Sequence, residues 1–337
     1  MIAAVSDGPL PLPIVDDPPV TQSRERADAV ERRRRALLGG LAAAAVIAFV
    51  VGVIAGAGGG GEADPAPAAD VEPTAELPGG GTEIFPDRRV VAFYGSPGDD
   101  ALGVLGIGAP AQAGKKLDDQ AKPYATKDRP VLPAMELIST IAASSEGERG
   151  DYNIQIPKRT IDEYLAAARD RDALLILDIQ PGYADFMTEV RRLEEYLKQP
   201  DVSLALDPEW HVDPPDVPGA VIGSVDAAEV NEVSAYLQGL IDEYNLPQKL
   251  LIVHQFTDGM IEGREELEAR PDVPMILNSD GFSDPANKEA KYDELRPQGP
   301  TREFLPGFKL FYLEDYPLMT PEQVLDLKPQ PDFVVYE

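Results

Sequence analysis

The chain has 337 residues, 43% of them hydrophobic, with a formal charge of -29 and no cysteine. That apolar content suffices for one large domain, or two small ones, plus accessory segments. The charge repels nucleic acid and anionic surfaces, and the missing thiols exclude disulfides, thiolate metal sites and a lipid-modified N-terminal cysteine.

Residues 1–35, with "PLPLPIVDDPPV", read as a disordered tail. Residues 36–57 carry no charge and are long enough to span hydrocarbon as a helix. Arg24, Arg26 and the run Arg32 to Arg35 precede this segment, and no Lys or Arg follows until Arg88. The basic bias therefore predicts a single-pass protein of the cell membrane with a cytoplasmic N-terminus and everything after the span extracellular. Ala55-Gly56-Ala57 also fits a small-residue cleavage site, so a removed signal peptide is the alternative, but the apolar stretch exceeds the usual ~7–15 residues of a signal core. Residues 58–87 are rich in Pro, Ala and Gly and read as a flexible linker. Acidic and basic side chains balance in residues 1–35, so the negative charge belongs to the exported part.

From Arg88 to Glu337 short apolar runs alternate with helical stretches. The runs are "RVVAFYG" (89–95), "VLPAMEL" (131–137), "ALLILDIQ" (173–180), "VSLALDPE" (202–209), "KLLIVHQF" (249–256), "VPMILNSD" (273–280), "FKLFYLED" (308–315) and "DFVVYE" (332–337). Helix starts are marked by a cap residue with Glu or Gln three positions on, at Thr160, Asp226 and Thr320. Eight strands separated by helices over this length predict a (β/α)8 TIM barrel for residues 88–337, with a doubly wound open sheet as the alternative. "AVIGSV" (220–225) reads as loop, and so does "GIGAPA" (106–111), whose Pro110 interrupts a nucleotide-binding pattern.

In such a barrel the chemistry gathers where strands end. The runs end in Tyr94, Glu136, Asp178 with Gln180, Asp207 with Glu209, His254, Asn278 with Asp280, and Tyr312 with Glu314 and Asp315; the eighth run offers no trusted candidate. Period-two alternation places Asp207 and Glu209 inward with Ser203 and Ala205, and likewise Asp178 with Gln180, His254 with Ile252, and Glu314 with Tyr312. Acids converging on one mouth raise one another's pKa, which makes a proton donor available near neutral pH.

Asp207-Pro208-Glu209 resembles the D-x-E of glycoside hydrolase family 25 lysozymes at the end of barrel strand four. It is also similar to the end of the chitinase signature, without the two upstream Asp residues. A further resemblance is to hydrolases with the acid/base on strand four and the nucleophile on strand seven, here Glu209 and Glu314, with Asp207-Pro208-Glu209 in place of their Asn-Glu pair. The whole pattern looks like uncharacterised exported barrel proteins of actinobacteria. The resemblance implies a membrane-tethered glycoside hydrolase acting on a cell-wall or extracellular polysaccharide. Glu209, Asp207 and Glu314 would be catalytic, with Glu209 as proton donor. Tyr94, Glu136, Asp178, Gln180, Trp210, His254, Asp280 and Tyr312 would bind substrate, Trp210 and Tyr94 by stacking on sugar faces.

Other barrel chemistries lack their parts. Zinc hydrolases need several spaced His, and only His211 and His254 exist. No metal or cofactor is therefore expected, and the one metal arrangement weighed is an oxygen-ligand Ca²⁺ or Mg²⁺ site from Asp178, Asp207, Glu209 and Asp280. No inward Lys is expected at a strand end, which counts against Schiff-base chemistry. The competing function is a non-catalytic barrel that binds a glycan or a protein, with the same acids serving structure.

Overall fold

A computed structural model describes residues 75–337, apart from 148 and 299–302. The tail 1–35, the apolar segment 36–57 and the linker as far as residue 74 lie outside the described residues. Among those described, no helix is long and apolar enough to cross a membrane.

Eight strands form a closed parallel barrel: β1 (Arg89–Gly95), β2 (Val131–Ala142), β3 (Leu174–Ile179), β4 (Val202–Leu206), β5 (Leu251–Gln255), β6 (Met275–Ser279), β7 (Phe304–Leu310) and β8 (Phe333–Tyr336). Each pairs in parallel with the next, and β8 closes on β1 through Val90↔Phe333 to Phe93↔Tyr336. Closure removes both sheet edges from solvent. A short strand, Asn153–Gln155, adds antiparallel to the end of β2. Between β4 and β6, Val225–Asp226 pairs with Ile261–Glu262 outside the barrel, so "AVIGSV" is loop except at its last residue.

The strands read as unbroken apolar runs because both faces are covered. Val90 and Ala92, Leu174 and Ile176, Ile252, Ile276 and Val335 fill the barrel interior. Their neighbours Val91 and Phe93, Leu175 and Leu177, Leu251 and Val253, Leu277 and Val334 pack outward against the helices. The outer layer comprises α1 (Pro110–Ala121), α2 (Lys158–Arg169), α3 (Phe186–Arg192), α4 (Glu194–Leu197), α5 (Ala227–Tyr244), α6 (Pro285–Leu295) and α7 (Pro321–Asp326). Pro110 opens α1 in its first turn. Thr320 makes the expected capping box with Gln323. Thr160 lies inside α2, which starts after Pro157, and Asp226 precedes α5 without a side-chain cap bond. The β5–β6 connection holds no α-helix; its elements are short 3₁₀ turns at Asp258–Met260 and Arg264–Glu266 and the two-residue strand Ile261–Glu262 between them.

The ordered domain begins before Arg88. Leu77, Ile84 and Phe85, expected in the linker, are buried with the interior cluster and close the barrel on the side away from the strand ends. The Gln248 side chain holds this segment by accepting from the Ile84 backbone N–H at 2.8 Å.

The largest departure from the sequence reading is β7, which runs over Phe304–Leu310 instead of 308–315. Pro306 faces β8 below the point where that strand begins, its carbonyl accepting from Asp332 N at 2.9 Å. The missing N–H of Pro306 therefore removes no ladder bond. Gly307 faces inward, where an added Cβ would stand 2.5 Å from Asn278 Oδ1 and 2.7 Å from Ile276 Cγ2. Gly307→Ala is expected to destabilise the fold by about 1–3 kcal/mol through overpacking, read as a lower denaturant midpoint at unchanged slope; an unchanged midpoint would contradict this packing.

Candidate active site

Six of the eight barrel strands send a polar side chain into the upper interior. From β1 it is Tyr94, from β2 Glu136, from β3 Asp178, from β5 His254, from β6 Asn278 and from β7 Lys309; all are nearly or fully buried. Asp207, Asp280 and Glu337 directly follow β4, β6 and β8 and continue their inward phase.

Five of these groups form a chain of alternating charge. Glu136 Oε1 lies 2.9 Å from His254 Nε2, and His254 Nδ1 lies 3.0 Å from Asp280 Oδ2. Lys309 Nζ then donates to Asp280 Oδ2 at 3.1 Å and reaches Glu337 Oε2 at 2.8 Å. Burial opposes charge on His254, but the Glu136 carboxylate and the hydrogen bonds to Asp280 and Glu136 outweigh it and hold the imidazole well above its ordinary pKa. Lys309 is likewise opposed by burial, and Asp280, Glu337 and Asp207 hold it well above the usual lysine value. Burial would raise Asp280, yet Lys309, His254 and the Gly281 backbone N–H at 2.6 Å bring it below the usual carboxylate range.

Two carboxyls stand beside this chain without a cation of their own. Burial, then Asp207, pushes Asp178 well above the usual carboxylate range, against the pull of His254. Asp178 Oδ2 accepts from the Tyr94 hydroxyl at 3.0 Å, and Gln180 Nε2 donates to that hydroxyl at 3.2 Å. Asp207 is raised by burial more than His254 and Lys309 lower it, with Asp280 and Glu337 adding to the rise. The expected like-charge repulsion is present, with burial as the larger cause.

Above them lies a cavity of about 430 Å³ at the strand ends. Its floor and walls include Tyr94, Gln180, Asp207, Glu209, Asp280, Lys309, Glu314 and Glu337, with Trp210, Phe256, Phe282 and Phe311 among its aromatics. No Arg among the described residues lines it; Arg191 lies over the Tyr236 ring on the outer face. Ile222, Phe282 and Leu313, all exposed, form part of an apolar rim. Glu209 sits beyond β4 in a 3₁₀ turn, Pro208–Trp210, and is half-buried. Its carbonyl accepts from Gly223 N at 2.8 Å. A Cβ at Gly223 would overlap the carbonyl oxygens of His211 and Pro208, so this close approach of two loop strands requires glycine.

The predicted residues separate into three groups. Asp207, Glu209, Trp210, Glu314, Tyr94, Gln180 and Asp280 share the cavity. Glu136, Asp178 and His254 lie beneath its floor, buried in the interior. Tyr312 is displaced: with β7 ending at Leu310 its phase is outward, it stacks on Tyr336 with centroids 5.2 Å apart, and its hydroxyl donates to Gln120 Oε1 on α1 at 2.7 Å. It lines a second cavity of about 560 Å³, which shares Ala101, Leu313, Glu314 and Glu337 with the first. Tyr94 is no open stacking platform, because it is buried with the Lys309 ammonium 3.8 Å from its ring centroid. Asp315 is structural: it accepts from the backbone N–H groups of Phe311 and Ser283, both at 2.9 Å, and pairs with Lys288 at 3.0 Å.

Lys309 and Glu337 escaped the sequence reading. A lone Lys inside "GFKLF" and an acid two residues beyond Val335 were the available signals. Lys309 is an inward strand-end lysine where none was expected, but imine formation needs a neutral amine, and the surrounding carboxylates keep this one charged.

Fold and site together define a TIM-like α/β barrel whose strand ends form a buried, acid-rich floor under an open cavity. No known protein family, curated protein or solved structure matches this chain.

Proposed function

We propose that the chain is a glycoside hydrolase, tethered to the cell membrane by residues 36–57, with the barrel outside the cell and a cell-wall or extracellular polysaccharide as substrate. The observation that carries this reading is the gathering of Asp207, Glu209 and Glu314 in one cavity at the strand ends beside Trp210, with the Asp207 carboxyl raised by burial. Hydrolysis of a glycosidic bond needs one carboxyl that is protonated and another that is charged. Asp207 fits the first role better than Glu209, the donor suggested by the D-x-E resemblance. It gives its proton to the leaving oxygen, and water supplies hydroxide to the anomeric carbon and a proton that restores the acid. Glu209, half-buried at the opening, is the second carboxyl of the pair; Glu314, raised by burial and by Glu337, lines the same cavity.

A non-catalytic binding module is the competing reading, and Lys309 supports it by neutralising Asp280 and Glu337 on the cavity floor. The deciding experiment uses the full chain in mild detergent against a panel of cell-wall and bacterial polysaccharides, with Glu209→Gln alongside. Hydrolysis by the wild type, lost by ~100-fold or more in the variant, is the expected result. Saturable binding of one polymer without any new reducing ends would transfer the site to the binding reading.

A further inference from the structure

The buried group beneath the cavity floor holds a feature that the hydrolase reading does not use. Glu136, Asp178 and His254 come from three different strands and offer ligand atoms that all lie within 4.8 Å of one another. Glu136 and Asp178 are completely buried, yet Glu136 Oε2 and Asp178 Oδ1 have no hydrogen-bond partner, and neither has Asn278 Oδ1. Buried carboxylate oxygens left unpaired are costly unless something positive meets them. The local carboxyls Glu136, Asp178, Asp207, Asp280 and Glu337 outnumber the cations His254 and Lys309.

The geometry points to a divalent transition-metal ion, Zn²⁺ or Mn²⁺, bound by His254 Nε2 with carboxylate oxygens of Glu136 and Asp178. Metal–ligand bonds of ~2.0–2.2 Å place neighbouring ligand atoms roughly 3 Å apart, and the Nε2 to Oε1 separation is 2.9 Å. The outer partners fit as well. Asp280 Oδ2, at 3.0 Å, accepts Nδ1–H and fixes the tautomer that frees Nε2 for the ion. The Tyr94 hydroxyl holds Asp178 through Oδ2 and leaves Oδ1 unpaired. One imidazole with two carboxylates suits zinc or manganese better than an all-oxygen Ca²⁺ site. The ion enters through the cavity, whose floor residues Tyr94 and Asp207 adjoin the cluster.

The test strips the full chain in detergent with a chelator, then titrates it with Zn²⁺ and, separately, Mn²⁺ by calorimetry in two buffers of different ionisation enthalpy. One ion per chain is expected, with proton release, because His254 and Asp178 must be unprotonated to bind. Glu136→Gln and Asp178→Asn should each weaken binding by ~100-fold, and Asp280→Asn by ~10–100-fold. No binding of either ion, or binding unchanged in the two ligand variants, overturns the proposal. Should those variants fail to fold, X-ray absorption on zinc-loaded His211→Gln protein decides, since His254 is then the only imidazole of a chain with two His. Imidazole scattering supports the site and its absence refutes it. Neither outcome depends on hydrolase activity.

Discussion

Asp207→Asn is expected to lower kcat on a cleaved glycan by ~10²–10⁴-fold while leaving KM within a few-fold, because it removes a proton transferred only in the transition state. The same substitution should raise thermal stability at neutral pH. Asp207 has a folded-state pKa above its ordinary value of 3.8, chiefly through burial. A carboxyl raised in this way binds its proton more tightly in the folded than in the unfolded chain. Its contribution to stability therefore falls as the pH rises from the unfolded value through the folded one. The amide has nothing to ionise and escapes this penalty. Lost turnover with a gain in melting temperature at pH 7 is the signature of a strained functional carboxyl. The basic limb of the wild-type pH–rate profile should also vanish in any residual activity of the variant. Full turnover by Asp207→Asn would remove Asp207 from the donor role, and Glu314, the other raised carboxyl of the cavity, would be substituted next.

The barrel was legible because strands buried on both faces announce themselves as apolar runs, and their period-two alternation then fixes which side chains point inward. This worked for Asp178, Asp207 and His254, where run and strand end nearly together. It failed on β7 because Pro306-Gly307 reads as a chain break. In the barrel Pro306 lies where β8 has not yet begun, and Gly307 is needed by the Asn278 side chain. The strand spans Phe304–Leu310, and its inward phase runs through Leu305, Gly307 and Lys309, so the phase that the sequence reading assigned to Tyr312 is the outward one and Lys309 stayed hidden. Glu209 shows a different limit. The strand ends at Leu206, and the 3₁₀ turn at Pro208 redirects the chain, so Glu209 reaches the cavity through a loop pinned by Gly223 and not by strand phase. The packing of Leu77, Ile84 and Phe85 under the barrel was hidden by the Gly and Pro around them, although three apolar side chains beside an open barrel end are what that end requires.

Lys309→Met is expected to destabilise the chain by about 3–5 kcal/mol at pH 7, which corresponds to a fall of roughly 10 °C in melting temperature for a domain of this size. The side-chain volume is nearly kept, so the loss is electrostatic. Lys309 is 3% exposed and is the shared cation of Asp280 and Glu337, and its removal leaves the Asp280 carboxylate with His254 as its remaining ion-pair partner. The pH dependence follows from Asp280, whose folded pKa lies below its ordinary value of 3.8. The stabilisation it contributes is present above that value and is lost as the pH falls through the folded one. Without Lys309 the folded pKa of Asp280 rises, so the gap between wild type and variant should be widest near neutrality and close as the pH drops below 3.8. Lys309→Met with Asp280→Asn should recover part of the loss at pH 7, since the double change leaves one buried charge fewer uncompensated. Urea denaturation of the wild type and both variants at pH 7 and at about pH 3 measures these differences. A loss below about 1 kcal/mol for Lys309→Met, or no recovery in the double variant, would mean that Lys309 is not what holds the acidic floor together.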